Sequence, residues 1–263
     1  MRAIRTVLDR AADEGRTRDV WWRDDDAVAP TLALDRLLDL ARARDLPVAI
    51  AAVPAEAGPD LAARLAAEPG VDVLVHGWRH RNHEPAPAKS AEFGPARDEI
   101  SFEVDAMAGL RACRDRFGER ALPVFVPPWN RIAPHGPALL ARAGYRGLSV
   151  FGRRRPASPL RVVNTHLDPV DWRGGRGPVP PERLADALAG AITGDEPVGL
   201  LTHHLTAGEP VWTLVTELLD ELGRHPAVRW TRAGALWPAP ASLNRRQIDD
   251  LTCVDDARGR STA

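Results

Sequence analysis

Short apolar runs and longer helix-like segments alternate along the chain. The apolar runs are bounded by Gly, Pro or Asp and predict strands that begin near positions 20, 48, 71, 124, 148, 161, 198 and 228. Segments rich in Ala, Leu and Arg lie between several of these runs and predict helices at about 31–44, 60–67, 135–143, 181–192 and 211–222. This alternation predicts an α/β fold, in which helices cover a mostly parallel sheet that is either a barrel or doubly wound.

The longest predicted helix starts after Pro95 and ends at Gly118. Its apolar residues recur at steps of three and four and predict one buried face, formed by Ile100, Val104, Met107 and Leu110. Cys113 lies on or near that face, and we interpret it as a packing residue rather than a nucleophile.

Three segments are predicted along the chain. Residues 1–19 are expected to form a helix that packs on the main domain, which spans residues 20–238. Residues 239–263 are polar and charged with only scattered apolar positions, and this composition predicts a mobile or loosely docked tail.

The composition excludes several classes of protein. Of 263 residues, 44% are apolar and 27% are charged, which is typical of a globular domain. The 35 basic and 36 acidic residues leave a net charge of −1, so we expect neither nucleic acid nor a membrane as a partner. Two cysteines are too few for a disulfide framework. The first residues lack the apolar segment of an export signal, and we therefore expect a cytoplasmic protein.

Three consecutive carboxylates follow the first predicted strand. Arg23 precedes Asp24, Asp25 and Asp26. Adjacent carboxylates repel one another unless a cation or strong hydrogen-bond donors keep them ionised together. The segment is therefore a candidate metal or acid–base site, and the alternative is a solvated acidic turn that caps the next helix.

Two histidines follow another predicted strand, in the sequence His76-Gly-Trp-Arg-His80. Histidines four residues apart can face one cation if the segment makes a helical turn, and His83 is a third candidate. The alternative is a pair of surface or hydrogen-bonded histidines. One carboxylate and two histidines are a common set of zinc ligands, which leaves a position open for a water molecule whose pKa the metal lowers.

Further candidates lie after the later strands. His203 and His204 end a strongly apolar run, where a histidine can act as a general acid or, alternatively, as a hydrogen-bonded core residue. Asp168 and Asp171 supply carboxylates that can orient such a histidine, unless they belong to a structural loop. A proline-rich turn after the strand at position 124, itself either functional or structural, presents three more candidates: Trp129, Asn130 and Arg131.

Taken in order, these five segments resemble the motifs of the polysaccharide deacetylase family (NodB homology, carbohydrate esterase family 4). The resemblance extends from Trp21 to about His204. It implies a distorted (β/α)7-8 barrel with a divalent metal at its mouth. It also implies a hydrolase that removes an N-acetyl group from a sugar-like substrate. Zinc is the first expectation for the metal, and cobalt, nickel and manganese are alternatives.

The first two motifs of the family assign a base and three metal ligands. By resemblance, Asp25 is the catalytic base, although a register shift of one residue within Asp24–Asp26, which would change both the base and the aspartate ligand, stays open. The family's His-Ser/Thr-x-x-His motif is matched with Gly77 in place of the usual hydroxyl residue, and the stretch 89–94 also resembles a subgroup of the family. The implied metal ligands are Asp26, His76 and His80.

The third motif departs from the family, whereas the fourth and fifth match it. Val-Pro-Pro-Trp at 126–129 replaces the usual Arg-x-Pro-Tyr, so the arginine that braces the base in the family is missing. Arg23 and Arg131 are the two candidates to replace it. The resemblance further implies that His203, rather than the histidine after it, is the general acid and that Asp171 orients it.

Tryptophan is unusually frequent, with 8 residues against 5 Phe and 1 Tyr. Five tryptophans lie in or beside the motif segments: Trp21, Trp22, Trp78, Trp129 and Trp172. Flat indole faces suit sugars or the wall of an acetyl pocket, so we expect an aromatic-lined site whose substrate-binding residues are Trp78, Trp129, Asn130 and Trp172. Two alternatives stay open: a catalytically weak carbohydrate-binding relative, and a hydrolase of a non-sugar amide or imide.

Overall fold

The computed structural model describes residues 1–154 and 158–238. The strands are β1 (Arg18–Ala27), β2 (Val48–Ala52), β3 (Val71–His76), β4 (Ala121–Val126), β5 (Gly147–Leu148), β6 (Arg161–Val162), β7 (Val198–Thr202) and β8 (Val228–Trp230). The helices are α1 (Arg2–Asp13), α2 (Leu32–Arg42), α3 (Pro59–Ala66), α4 (Glu99–Phe117), α5 (Gly136–Arg142), α6 (Pro181–Ile192), α7 (Glu209–Gly223) and α8 (Ala233–Leu236). The tail expected at 239–263 lies outside the described residues.

The strands form one curled sheet in which neighbours run parallel. Their order is β6-β5-β4-β3-β2-β1-β7, and β8 pairs with the first residues of β1. Beyond β6, Leu167 forms a parallel bridge with Leu200 of β7, so the two ends of the row meet. The predicted fold class, a distorted (β/α) barrel surrounded by helices, is therefore confirmed.

Successive side chains of β1 point to opposite faces of the sheet. Trp21 faces the barrel interior, where its ring meets that of Trp237 edge-on at 5.4 Å. Trp22 faces the helices and donates from Nε1 to Thr202 Oγ1 at 2.9 Å. Both side chains are buried, so these two tryptophans are packing residues and do not belong to the expected aromatic-lined site.

The first helix packs on the body of the barrel. α1 lies against α6 and buries Ile4, Leu8 and Ala11. Its burial follows from the spacing of these three residues, which places them on one side of a helix. Within residues 1–154 and 158–238, no helix has the length and apolar character needed to cross a membrane.

The buried face of α4 is not the one predicted from the sequence. Ile100, Val104 and Met107 are 77%, 59% and 57% exposed. The buried residues are Phe102, Ala106, Gly109, Leu110, Cys113 and Phe117. The prediction was right for Leu110 and Cys113 but wrong for Ile100, Val104 and Met107. Apolar residues at helical spacing occur on two sides of this helix. Gly109 decides between them, since a β-carbon there would lie 2.9 Å from the carbonyl oxygen of Gly77.

The parallel arrangement brings the candidate residues to one rim. The carboxyl ends of parallel strands in a barrel meet at the same end. β1 brings Asp25 and Asp26 there and β3 ends at His76. The turn after β4 carries Trp129, and His203 directly follows β7. The fold therefore gathers four of the five motif segments from strands that are distant in sequence.

The assignment of the α4 faces gives a first prediction. We expect Phe102→Ala to lower the free energy of unfolding by about 3–5 kcal/mol, because it leaves a cavity in the core. Val104→Ala, two residues away on the exposed side, is the control and is expected to change it by about 0.5 kcal/mol or less. Urea denaturation measures both, and a larger loss for Val104→Ala would contradict the assignment.

Candidate active site

The first of the three carboxylates, Asp24, faces the helix layer rather than the rim. Its Oδ2 accepts hydrogen bonds from Thr202 Oγ1 at 2.6 Å and from the His204 N–H at 3.1 Å, and its Oδ1 lies 2.5 Å from His204 Nδ1. Burial works to lower the pKa of His204, but the charge of Asp24 and its hydrogen bond outweigh burial and raise that pKa. Asp24 and His204 therefore form an internal ion pair, which leaves Asp25 and Asp26 at the rim.

The second carboxylate, Asp25, is paired with Arg23 of the same strand. Arg23 Nη2 donates to Asp25 Oδ2 at 3.0 Å. Its Nε lies 2.8 Å from Oδ1, and this second contact is an ion pair without hydrogen-bond alignment. Arg23 also donates to Ser149 Oγ at 2.7 Å and to Asn130 Oδ1 at 2.8 Å. Arg131, the other candidate brace, donates instead to the carbonyl of Ser90.

The third carboxylate, Asp26, converges with two histidines. Its Oδ1 lies 2.9 Å from His76 Nε2 and 3.3 Å from His80 Nε2. Burial works to raise the pKa of Asp26, but hydrogen bonds from His76 and His80 outweigh it and hold that pKa well below its usual range. Burial likewise works to lower the pKa of His76, and the charges of Asp25 and Asp26 raise it instead.

This set of three side chains fits a divalent metal. One carboxylate oxygen and two imidazole nitrogens lie within 4.8 Å of one another. His76 Nδ1 lies 3.0 Å from the carbonyl oxygen of Val126, a contact that places a proton on Nδ1 and turns Nε2 toward the site. Such a mixed oxygen and nitrogen set suits zinc and its neighbours in the first transition row. His83 is exposed and does not belong to the group.

His203 lies beside the base. Its Nε2 is 4.0 Å from Asp25 Oδ2, and its Nδ1 is buried with no hydrogen-bond partner in the described part of the chain. The ring of Trp172 packs edge-on against the imidazole, with the ring centres 4.8 Å apart. His203 is thus held by packing, close to the one carboxylate that Arg23 keeps in place.

The carboxylate connected to His203 is Asp168 rather than Asp171. Asp168 Oδ2 accepts from Trp172 Nε1 at 2.7 Å, so the indole links this carboxylate to the imidazole. Burial raises the pKa of Asp168, while the charge of His203 opposes that rise. Asp171 was expected to orient His203, but its carboxylate accepts from the Arg173 N–H at 3.3 Å and faces Arg183.

Two of the three tryptophans expected to bind substrate pack against these groups. Trp129 packs on His80 with the ring centres 4.3 Å apart, and Trp172 is 46% exposed beside His203. Trp78 is partly buried, with the guanidinium of Arg79 over its ring. Trp129 and Trp172 thus lie on the histidines of the site, whereas Trp78 packs against the hydrophobic core.

Solved structures resemble this chain, although no protein-family profile and no curated protein matches it. A Mycobacterium smegmatis protein assigned to the polysaccharide deacetylases is 17% identical, with 95% of this chain and 94% of that one covered and a TM-score of 0.62. A peptidoglycan N-acetylglucosamine deacetylase is 15% identical, with 85% and 90% covered and a TM-score of 0.56. A family 4 acetyl xylan esterase from Clostridium thermocellum, solved with cobalt, is 16% identical, with 82% and 89% covered and a TM-score of 0.52.

The chain has the fold of the family 4 polysaccharide deacetylases. Within this fold, its departure at the third motif has a structural counterpart. Arg131 of the turn after β4 donates to Ser90, and the guanidinium beside Asp25 comes from Arg23, two residues earlier on the same face of β1. Asn130 of the third motif accepts a hydrogen bond from that guanidinium. The deacetylase fold is therefore retained here with the ion pair supplied from within one strand.

Unusual backbone conformations concentrate at the rim of this deacetylase fold. Among the described non-glycine residues, six have positive φ, and four of them belong to the site: Asp26 (76°), His80 (54°), Trp129 (57°) and Asn130 (55°). Such conformations cost free energy and persist where surrounding contacts impose them, most often at functional sites. The strain therefore supports a functional role for the rim.

Two polar residues of this region were missed by the sequence analysis. Ser149 accepts from Arg23, and Glu92 accepts backbone N–H groups of the turn that carries His80. Ser149 lies next to a two-residue strand without a recognisable motif, so no sequence signal identified it. Glu92 lies in the stretch 89–94, whose resemblance to a subgroup of the family carries no signal that places it beside the metal ligands.

The Arg23–Asp25 pair gives a second prediction. We expect Arg23→Met to lower the free energy of unfolding by about 3–5 kcal/mol, because Asp25 becomes an unpaired buried charge. Arg131→Met, the control, loses only a hydrogen bond to a carbonyl and should cost about 1 kcal/mol. The double variant Arg23→Met/Asp25→Asn has no unpaired buried charge. It should therefore regain part of the free energy of unfolding that Arg23→Met loses. Equal losses in the two arginine variants, measured in urea, would argue against this brace.

Proposed function

We propose that this protein is a metal-dependent hydrolase that removes an N-acetyl group from a sugar-like substrate. The observation that carries the proposal is the adjacency of two parts of the rim. The Asp25 carboxylate lies 4.0 Å from His203 Nε2, and the next residue along the chain, Asp26, converges with His76 and His80. A base, an acid and a metal-ligand set in this order are what hydrolysis of an amide requires.

The ligands of the metal would be Asp26, His76 and His80. When bound there, a divalent cation supplies a Lewis acid that polarises the acetyl carbonyl. Three protein ligands leave coordination positions for water and substrate, as in catalytic zinc sites. Zinc is the first candidate for this donor set, and cobalt, nickel and manganese follow.

Asp25 is assigned as the general base. It accepts the proton of the attacking water, and Arg23 holds both of its oxygens in place during the transfer. The guanidinium is itself fixed by Ser149 and Asn130, so the carboxylate has little freedom to turn away. A base held in this way is available without reorganisation when the substrate arrives.

His203 is assigned as the general acid. Its Nε2 lies 4.0 Å from Asp25 Oδ2, so both groups can reach one small acyl group. Trp172 keeps the imidazole in place and ties it to Asp168 through its Nε1. We assign Asp168 as the carboxylate that positions His203, and we assign no role in positioning His203 to Asp171.

Trp129 is assigned as the donor to the oxyanion. The two hydrogen bonds of its turn are donated by the N–H groups of Asn130 and Arg131, so the turn does not use the Trp129 N–H. A backbone N–H beside the metal ligands stabilises the negative charge that develops on the carbonyl oxygen. The indoles of Trp78, Trp129 and Trp172 would contact the acetyl methyl group and the apolar face of the sugar.

An acetyl ester is the second candidate substrate. One of the structural neighbours is an acetyl xylan esterase, and an ester needs the same base, oxyanion donor and metal as an amide. The two candidates differ at the leaving group, because an amine must be protonated to leave whereas an alcohol depends less on the acid. The importance of His203 therefore distinguishes an amide from an ester.

The metal centre gives a third prediction. We expect purified protein to bind Zn²⁺ or Co²⁺ at one site per chain and to lose that site in His80→Ala, because one of three ligands is removed. His83→Ala, three residues further on and exposed, is the matched control and should bind as the parent does. Elemental analysis and titration with Co²⁺ measure both. Retention of the metal by His80→Ala would refute the ligand assignment.

The reaction gives a fourth prediction. Acetate release from N-acetylglucosamine oligomers should fall by about 10²–10⁴-fold in Asp25→Asn and in His203→Asn, because each removes a proton-transfer group. The parent treated with a chelator and His83→Ala serve as controls. Enzymatic determination of acetate measures the rates.

Other outcomes select the alternatives. Release of acetate only from acetylated xylan, with little effect of His203→Asn, would identify an esterase. Ammonia in place of acetate would identify a hydrolase of a non-sugar amide or imide. Binding of the oligomers without turnover, by protein loaded with metal, would identify a catalytically weak relative.

A further inference from the structure

Glu92 is a buried carboxylate whose hydrogen bonds all come from backbone N–H groups. It lies in the loop that joins β3 to α4 and is 1% exposed. Its Oε2 accepts from the N–H groups of Trp78 at 3.0 Å and His80 at 3.2 Å, and its Oε1 accepts from that of Arg79 at 2.7 Å. Three converging donors of this kind suit an acceptor-only group such as a carboxylate.

Gly77, which follows His76, has no side chain and leaves the space that the Glu92 carboxylate occupies. A β-carbon on Gly77 would lie 2.1 Å from Glu92 Oε2 and 2.6 Å from Pro128 Cγ, and Gly77 also has a φ of +62°. A side chain at position 77 is therefore incompatible with the carboxylate in this place. The glycine that stands in place of the hydroxyl residue usual in the family thus leaves room for the Glu92 carboxylate.

The turn that Glu92 holds carries a histidine of the candidate metal centre. His80 has a φ of 54°, a conformation that costs a non-glycine residue free energy and needs support from its surroundings. The hydrogen bond from its N–H to Glu92 supplies such support, while its Nε2 lies 3.3 Å from Asp26 Oδ1. The same carboxylate also accepts from the two preceding N–H groups, whereas the Gly77 N–H donates to the carbonyl of Val126. Glu92 therefore holds the three consecutive N–H groups of residues 78–80.

We propose that Glu92 is the positioning residue of the candidate metal centre, which holds His80 toward Asp26 by fixing the backbone of residues 78–80. The inference rests on the proposed function for the identity of His80 as a ligand. The hydrogen bonds of Glu92 to the turn do not depend on it. The two claims can therefore be tested separately.

The first test measures metal affinity. In Glu92→Gln, an NH₂ group replaces one acceptor oxygen and leaves at least one backbone N–H facing a donor. We expect the Kd for Co²⁺ to rise about 10–100-fold, the range found for residues that orient metal ligands, with a change in the visible absorption of the bound ion. An unchanged Kd and spectrum would overturn the proposal.

Glu84→Gln is the matched control for this measurement. Glu84 lies in the same loop, and its Oε1 accepts from the Ala96 N–H at 3.0 Å. It also faces a glycine closely, since a β-carbon on Gly94 would lie 2.1 Å from that oxygen. Glu84 makes no hydrogen bond to residues 78–80. The Kd of the Glu84→Gln variant for Co²⁺ should therefore stay within about twofold of the parent value.

The second test needs no metal. Hydrogen exchange of the metal-free protein should show the amides of Trp78, Arg79 and His80 exchanging about tenfold faster in Glu92→Gln and unchanged in Glu84→Gln. Unchanged exchange in Glu92→Gln would overturn the proposal even if the metal data agreed. If the parent binds no Co²⁺, the proposed function fails, and exchange still decides whether Glu92 anchors the turn.

A second variant covers the case in which Glu92→Gln does not fold. Glu92→Asp keeps the charge but shortens the side chain by one methylene, so the carboxylate cannot reach all three N–H groups of residues 78–80. We expect a higher Kd for Co²⁺ and faster exchange of these amides, with Glu84→Asp as the control. A Glu92→Asp variant that binds Co²⁺ and exchanges as the parent does would contradict the proposal.

Discussion

Three successive carboxylates at the end of a buried strand repel one another, and each needs its own partner. The alternation of β1 separates the first two: Asp24 turns to His204 in the helix layer and Asp25 turns inward to Arg23. Asp26 leaves the strand geometry at a positive φ and meets two histidines from β3 and its turn. The three carboxylates thus have partners from three different parts of the barrel: the segment after β7, β1 itself, and β3 with its turn. The other residues of the site hold these partners in place.

The same division explains how the site differs from the family pattern. A guanidinium two residues before the base reaches it along one face of β1, and position 126 of the third motif holds a valine instead of the usual arginine. The turn after β4 contributes Asn130 to hold the guanidinium and packs Trp129 on His80. In the turn after β3, Gly77 has no side chain and leaves space for the Glu92 carboxylate. At each departure from the family motifs, the structure shows a buried contact: Arg23 with Asp25, and Glu92 with the turn after β3. Comparing the motifs position by position does not reveal either contact.

Much of this arrangement could be predicted from the sequence, because strand ends in a parallel barrel meet at one rim. The alternation of elements and the order of the motifs identified the barrel and brought Asp26, His76 and His80 together. The face of α4 and the burial of Trp21 and Trp22 could not be predicted, since they depend on which side of an element its neighbours cover. The choice of Asp168 over Asp171 depends on a single indole hydrogen bond from Trp172, which motif spacing does not encode.

The most direct measurement of the central claim is X-ray diffraction at the zinc absorption edge, from crystals of protein purified with zinc. The account predicts one strong anomalous peak, with ligand distances of about 2.0–2.2 Å to a carboxylate oxygen of Asp26 and to Nε2 of His76 and His80. In the same crystals, Asp24 would remain paired with His204, and Asp25 would remain paired with Arg23. A peak bonded to Asp24 or Asp25, or located away from the rim, would contradict the account.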